Sequence, residues 1–208
     1  MMNEFLLAII AANGIFSYMG FKDESFFRKY EFHIGSIRAG EQLRMFTAAF
    51  LHADIMHFVF NMYALYLFAP IVIGYMGGLG FLIVYIISLF GGSLLTYFLH
   101  KNDYGYRSIG ASGAVTGIVY SAILLNPGME IWFLPAYIFG IGYLLYSIYG
   151  MKAKNDNIGH TAHFGGAIGG YLYTIIREPS MLVDNLQTVT ILAVPIVILL
   201  YMAKSGKL

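Results

Sequence analysis

Seven apolar stretches, separated by charges or turn residues, run through the chain at approximately Asn3 to Gly20, Ile55 to Gly74, Leu79 to Leu99, Ser112 to Leu125, Ile131 to Tyr149, Thr161 to Ile176 and Thr188 to Met202. A bilayer core takes about 20 mostly apolar residues per helix, and inside it backbone polar groups must be satisfied within the protein. The pattern predicts an all-α fold, a polytopic membrane helical bundle of seven spans. Composition agrees, because 59% of residues are hydrophobic and only 11% are charged, about half the charged share of a soluble domain. The mean hydropathy is +0.70. The fourth and sixth stretches are short and rich in glycine, which lets helix backbones approach closely in lipid.

The first stretch lacks a basic n-region and a small-residue cleavage site, so it reads as a retained helix rather than a signal peptide. Phe21 to Ala53, the longest connection, carries Phe26, Phe27, Tyr30, Phe32, Ile34, Ile37, Leu43 and Phe46 among its charges. It is expected to lie at the membrane interface or partly inserted, not to act as a flexible linker. Gly74 to Gly80 and Asn126 to Glu130 read as tight turns. Residues 1–208 are expected to form a single transmembrane domain, with a core of about 1–177 and an extra C-terminal helix of about 188–204. A net charge of +1 without any Lys/Arg cluster argues against a nucleic-acid partner. With no cysteine, disulfides and thiolate metal sites are excluded, and no cofactor or metal is expected.

Polar side chains are costly within a membrane, so each must be partnered, face water or do chemistry. They gather in three groups: His52, His57 and Asn61; Ser112 and Thr116; His160, Thr161 and His163. All three groups sit at the starts of spans two, four and six, which traverse in the same direction and so share one membrane face. A hydroxyl and an imidazole are the minimum set for an activated nucleophile, since the ring takes the proton that keeps serine weakly reactive. Taken singly, each group has a structural alternative. Ser112 in Gly110-Ala111-Ser112-Gly113 can bond a carbonyl of its own helix, and His57 and Asn61, four apart, can tie two helices together. His163 in Ala162-His163-Phe164-Gly165-Gly166 can be a polar anchor beside a close-packing glycine seam. The conjunction favours chemistry.

From about Gly40 to Tyr173 the chain resembles the rhomboid family of intramembrane serine proteases. The segment from Gly40 to His52 resembles the family's first-loop signature, and His52, His57 and Asn61 follow at the family spacing, with the serine and histidine motifs in order behind them. The resemblance implies a rhomboid-like six-helix core plus one C-terminal helix. It implies Ser112 as nucleophile and His163 as general base and later acid, a dyad without a carboxylate. No Asp or Glu lies in spans four or six to orient that imidazole, so packing and other hydrogen bonds must do so.

For oxyanion stabilisation the resemblance implies His57 and Asn61 beside the backbone N–H of Ser112, with backbone groups near Gly110 as further candidates, and it makes His52 a structural loop residue. Thr116 departs from the aromatic often found at its position, which puts a ring stacked behind His163 in doubt. The implied partners are the lipid bilayer and transmembrane protein substrates, entering past span five, with Trp132, Phe133 and Pro135, beneath a cap formed by Gly150 to Gly159.

The implied location is the cell (plasma) membrane, with the site on the extracytoplasmic side. That orientation conflicts with the positive-inside rule, because Lys22, Arg28, Lys29, Arg38, Arg44, Lys101, Arg107, Lys152 and Lys154 all lie in loops on the active face. The alternatives to a protease are a histidine-based metal transporter or membrane metalloprotease using His52, His57, His160 and His163, and a non-catalytic rhomboid-like binding protein.

Overall fold

The computed structural model describes residues 3–131, 133–153, 159–205 and 207. Each of the seven expected stretches is helical over most of its length: α1 is Glu4–Lys22, α5 is Ile55–His100, α6 is Ser112–Leu125, α7 is Ala136–Ala153, α8 is His160–Arg177 and α10 is Leu186–Lys204. By length and composition, α1, α5 and α10 are long and apolar enough to cross a membrane. The second and third stretches are one helix by hydrogen bonding, with a kink where Gly77 alone leaves helical geometry at φ 73° and ψ 171°. The expected turn over Gly74 to Gly80 is thus a single residue, in a backbone conformation that favours glycine. The two halves, 55–76 and 78–100, are each about 33 Å long, enough for a bilayer core.

Helix α6 has only 14 residues and reaches about 21 Å, less than the roughly 30 Å of hydrocarbon. Every residue from Gly113 to Leu125 is buried, so other helices surround it. Its neighbours can surround it closely because small residues line the contacts. A Cβ built on Gly166 would lie 1.9 Å from the carbonyl oxygen of Gly113, and one on Gly170 would lie 2.2 Å from that of Gly117. Ser121 and Thr174 continue the same register with a 2.8 Å side-chain hydrogen bond. The adjacent face of α8 packs as closely on α5, where a Cβ on Gly165 would meet the Gly91 carbonyl oxygen at 2.2 Å. Backbone meets backbone, so no rotamer change could relieve an added side chain.

The connection after α1 is folded, as its aromatic content suggested. It forms α2 (Glu24–Tyr30), strand β1 (Phe32–His33), α3 (Ile34–Arg38), α4 (Arg44–Thr47) and a 3-10 turn over Ala48–Phe50. Strand β1 pairs antiparallel with β2 (Arg107–Ser108) in the loop that leads into α6. Buried Glu31 pairs with Arg107 and Arg28, while Arg44 donates to the backbone carbonyls of Arg28 and Glu31 at 2.6 and 3.1 Å. Arg38 donates to the Lys101 carbonyl at 2.8 Å. Arg28, Arg38, Arg44 and Arg107 are thus all tied into the folded loop.

The fifth stretch starts later than expected, because β3 (Glu130–Ile131) pairs antiparallel with β4 (Leu134–Pro135) before α7 begins. Trp132, Lys154 and residues 155–158 of the 150–159 cap fall outside the described residues. A short helix, α9 (Met181–Asp184), leads into α10, which packs on α7 and α9.

If close backbone contact holds α6 to α8, Gly166→Ala destabilises the protein by about 3 kcal/mol or more, at the upper end of overpacking costs. Gly142→Ala, where nothing lies within 4 Å, is neutral or slightly stabilising. Thermal unfolding in detergent checks the contrast, and equal midpoints for the two variants would contradict it.

Candidate active site

Helix α6 begins at Ser112 after a turn that only a glycine fits comfortably: Gly110 has φ +112°, and a Cβ there would lie 2.8 Å from the His57 ring. Gly110 N–H donates to the Ala48 carbonyl at 2.9 Å, and Ala111 N–H reaches His52 Nε2 at 3.5 Å. The first backbone donor to turn back into the helix is Val115, bonded to the Ala111 carbonyl, so the N–H groups of Ser112, Gly113 and Ala114 precede the ladder. Of the backbone groups near Gly110 expected as oxyanion donors, the Gly110 and Ala111 amides are already engaged.

The glycine seam brings the serine and the histidine together. Ser112 Oγ lies 2.9 Å from His163 Nε2. His163 Nδ1 lies 3.0 Å from Tyr143 Oη, and the two rings stack with centroids 5.3 Å apart at 29°. The tautomer that leaves Nε2 to accept from the Ser112 hydroxyl carries its proton on Nδ1, which then donates to Tyr143 Oη. Tyr143 thus orients the ring as a carboxylate would, without the negative charge that would stabilise an imidazolium.

Thr116 makes no stack. Its Oγ1 donates to the Ser112 carbonyl at 2.7 Å, and α7 supplies the ring instead. Tyr143 was not among the sequence candidates, because one phenol among 17 tyrosines carries no distinguishing spacing.

His57 and Asn61 line the same cavity as Ser112 and His163. His57 Nδ1 accepts from Ala53 N–H at 3.3 Å, which leaves the proton of a neutral ring on Nε2, the edge that faces Gly110. Asn61 Nδ2 donates to the His57 carbonyl at 2.9 Å and retains a second proton. The cavity has a volume of about 610 Å³. Its apolar wall is made by Phe60, Ala64 and Phe68 of α5, Val115 and Val119 of α6 and Phe139 of α7, and its mouth by Ala53, Asp54 and Gly159.

His52 does not reach this cavity. It is fully buried, with Nδ1 2.8 Å from Ser17 Oγ, while Ser17 donates to the Phe50 carbonyl at 3.0 Å. It ties α1, the first loop and the Ala111 turn together. Phe133 is 81% exposed. Among the described residues, no group of three or more His, Cys, Asp or Glu is arranged to hold a metal ion.

The Rhomboid domain model matches residues 39–180, more than half of the chain. The chain belongs to the rhomboid family. This rhomboid is 34% identical over 139 residues to a Bacillus subtilis protein named "Putative rhomboid protease YdcA", covering 66% of this chain and 68% of that one. It is 28% identical over 187 residues to RHOMBOID-like protein 12, mitochondrial, of Arabidopsis thaliana (79% of this chain, 55% of that one). Over 138 residues it is 30% identical to human presenilin-associated rhomboid-like protein, mitochondrial (62% and 36%).

The chain thus spans about half the length of the plant relative and about a third of the human one. The plant and animal relatives carry mitochondrial names, so the plasma-membrane location expected from the sequence has no support among them. The apolar helices and the family together make the rhomboid an integral membrane protein.

Burial, with a smaller push from His57 and a partial offset from Asp54, holds the His52 imidazole down at about 3 from an ordinary 6.5. A group kept neutral in the folded state adds stability in full above pH 6.5 and loses it progressively as the pH falls toward 3, because the unfolded chain takes up the proton first. The thermal midpoint in detergent should therefore drop between pH 6.5 and about 5. His52→Gln, whose amide can serve both partners without titrating, should flatten that slope, and an unchanged slope would contradict the assignment.

Proposed function

We propose that this chain is an intramembrane serine endopeptidase that cleaves transmembrane segments of membrane proteins with a Ser112–His163 dyad. The observation that carries this function is the 2.9 Å contact between Ser112 Oγ and His163 Nε2, both lining a cavity of about 610 Å³. Ser112 Oγ attacks the scissile carbonyl carbon while its proton passes to Nε2, and the carbonyl electron pair moves onto oxygen. Asn61 Nδ2–H, His57 Nε2–H and the Ser112 backbone N–H stabilise that oxyanion. On collapse the imidazolium returns its proton to the leaving amine, and an ester remains on Ser112. Water attacks the ester, gives a proton to Nε2, and a second collapse releases the carboxylate product and restores the hydroxyl.

A helical substrate offers its carbonyls poorly, because each is already bonded within the helix. Segments with small, helix-destabilising residues at the cut are the preferred class. The path is the gap between the 55–76 half of α5 and α7, whose Phe60, Phe68 and Phe139 give it an apolar wall. Phe133 and Pro135 precede α7 and belong to the same gate. The active face is extracytoplasmic; the internal bonding of Arg28, Arg38, Arg44 and Arg107 supports this against the raw charge count.

Purified protein treated with a fluorophosphonate should be labelled at Ser112, and neither Ser112→Ala nor His163→Ala should label or cleave. Asn61→Ala should lower kcat by about 10²-fold. Cleavage that a chelator abolishes, with Ser112 unlabelled, would overturn the dyad.

For orientation, Lys101→Cys should react with an impermeant maleimide from the extracytoplasmic side and Gly128→Cys, in the exposed turn after α6, from the opposite side. The reverse pattern would invert the topology.

A further inference from the structure

Tyr143 is not the only residue of α7 that meets a histidine of α8. One turn before His163, His160 is buried and lines the same cavity. Its ring stands edge-on to Tyr146, with centroids 5.4 Å apart at 76°, and edge-on to His163 at 6.0 Å and 84°. It also covers the backbone of Gly150 so closely that a Cβ there would lie 2.0 Å from His160 Nε2. Tyr143, Tyr146 and Gly150 recur at three and four residues, so they form one stripe of α7, and His160 and His163, three apart, form the facing stripe of α8. The missing side chain at Gly150 makes the notch in which the His160 ring sits.

Helix α7 also forms one wall of the cavity, through Phe139, Tyr143 and Tyr146. Any shift of α7 along or away from α8 carries Tyr143 off His163 Nδ1 and releases the ring that faces Ser112.

Resting on the dyad function proposed above, we infer that His160 is a positioning residue: seated in the Gly150 notch, its ring holds α7 on α8, keeps Tyr143 on Nδ1 of His163 and so aims Nε2 at Ser112 Oγ. A buried histidine that only filled space would, when removed, lower stability and leave the turnover of the folded protein alone. A positioning role acts on kcat, because misplacing a base by a fraction of an ångström costs rate without weakening the apolar contacts that bind substrate.

The test uses the full chain in detergent with a transmembrane-segment substrate, and reads kcat, KM and the rate of fluorophosphonate labelling at Ser112. His160→Ala should lower kcat and the labelling rate together by about tenfold, with KM unchanged or lower. Gly150→Ala should lose more, because its methyl and the ring compete for one space. The double variant should return to the level of His160→Ala, since the methyl then occupies the vacated notch. If Gly150→Ala alone loses its fold, recovery of a folded, labelling double variant reads the same clash.

Wild-type kcat and labelling in His160→Ala overturn the inference, as do single-variant losses that multiply in the double. Failure of wild-type Ser112 to label removes the hydrolytic function, and the inference with it. Normal wild-type labelling beside an unaffected His160→Ala removes the inference alone.

Discussion

The contact between α6 and α8 sets the rest of the molecule. In lipid there is little hydrophobic drive to bring two helices together, so packing and polar contacts decide how close they come. Gly113 and Gly117 face Gly166 and Gly170 with carbonyl oxygens where side chains would otherwise be, and Ser121 and Thr174 join through their hydroxyls. At that separation a serine at the first position of one helix and a histidine in the first turn of the other fall within one hydrogen bond. The adjacent face of α8 repeats the device on α5 through Gly91 and Gly165, so α8 is held along two neighbouring faces.

Depth follows from length. Helix α6 is 14 residues long and buried from Gly113 to Leu125, so its N-terminal turn is enclosed by longer neighbours. A polar group there is sunk in the protein yet open through the cavity that α5 and α7 leave between them. The folded first loop, held by Glu31, Arg44 and Arg107, braces the turn that leads into α6, and His52 links that turn to α1. A protein without a carboxylate behind its histidine must hold the ring by other means, and here a phenol does so. A neutral acceptor fixes the tautomer but gives an imidazolium no counter-charge.

Much of this was legible in the residues. The helical stretches, the short glycine-rich pair and the shared depth of Ser112 and His163 follow from hydropathy, glycine spacing and the cost of burying polar groups. The glycine content of the fourth and sixth stretches pointed to a close approach of helix backbones. What stayed hidden depends on contacts between distant segments. Tyr143 resembles every other tyrosine until α7 is laid against α8, and Gly150 is one of 24 glycines until the His160 ring is seen above it. The kink at Gly77 looked like a longer turn because Gly74, Gly78 and Gly80 surround it, yet those three keep helical geometry. The ion pairs of Glu31 and the backbone bonds of Arg38 and Arg44 were likewise invisible, because each joins residues far apart in sequence or depends on how the first loop folds.

The most direct test is an experimental structure of the protein after reaction with a small organophosphonate. Phosphorus should be bonded to Ser112 Oγ, with His163 still stacked on Tyr143 and the phosphoryl oxygen directed at Asn61, His57 and the Ser112 N–H. An adduct on another residue, or α6 and α8 separated so that Ser112 Oγ and His163 Nε2 lie beyond hydrogen-bond reach, would contradict the account.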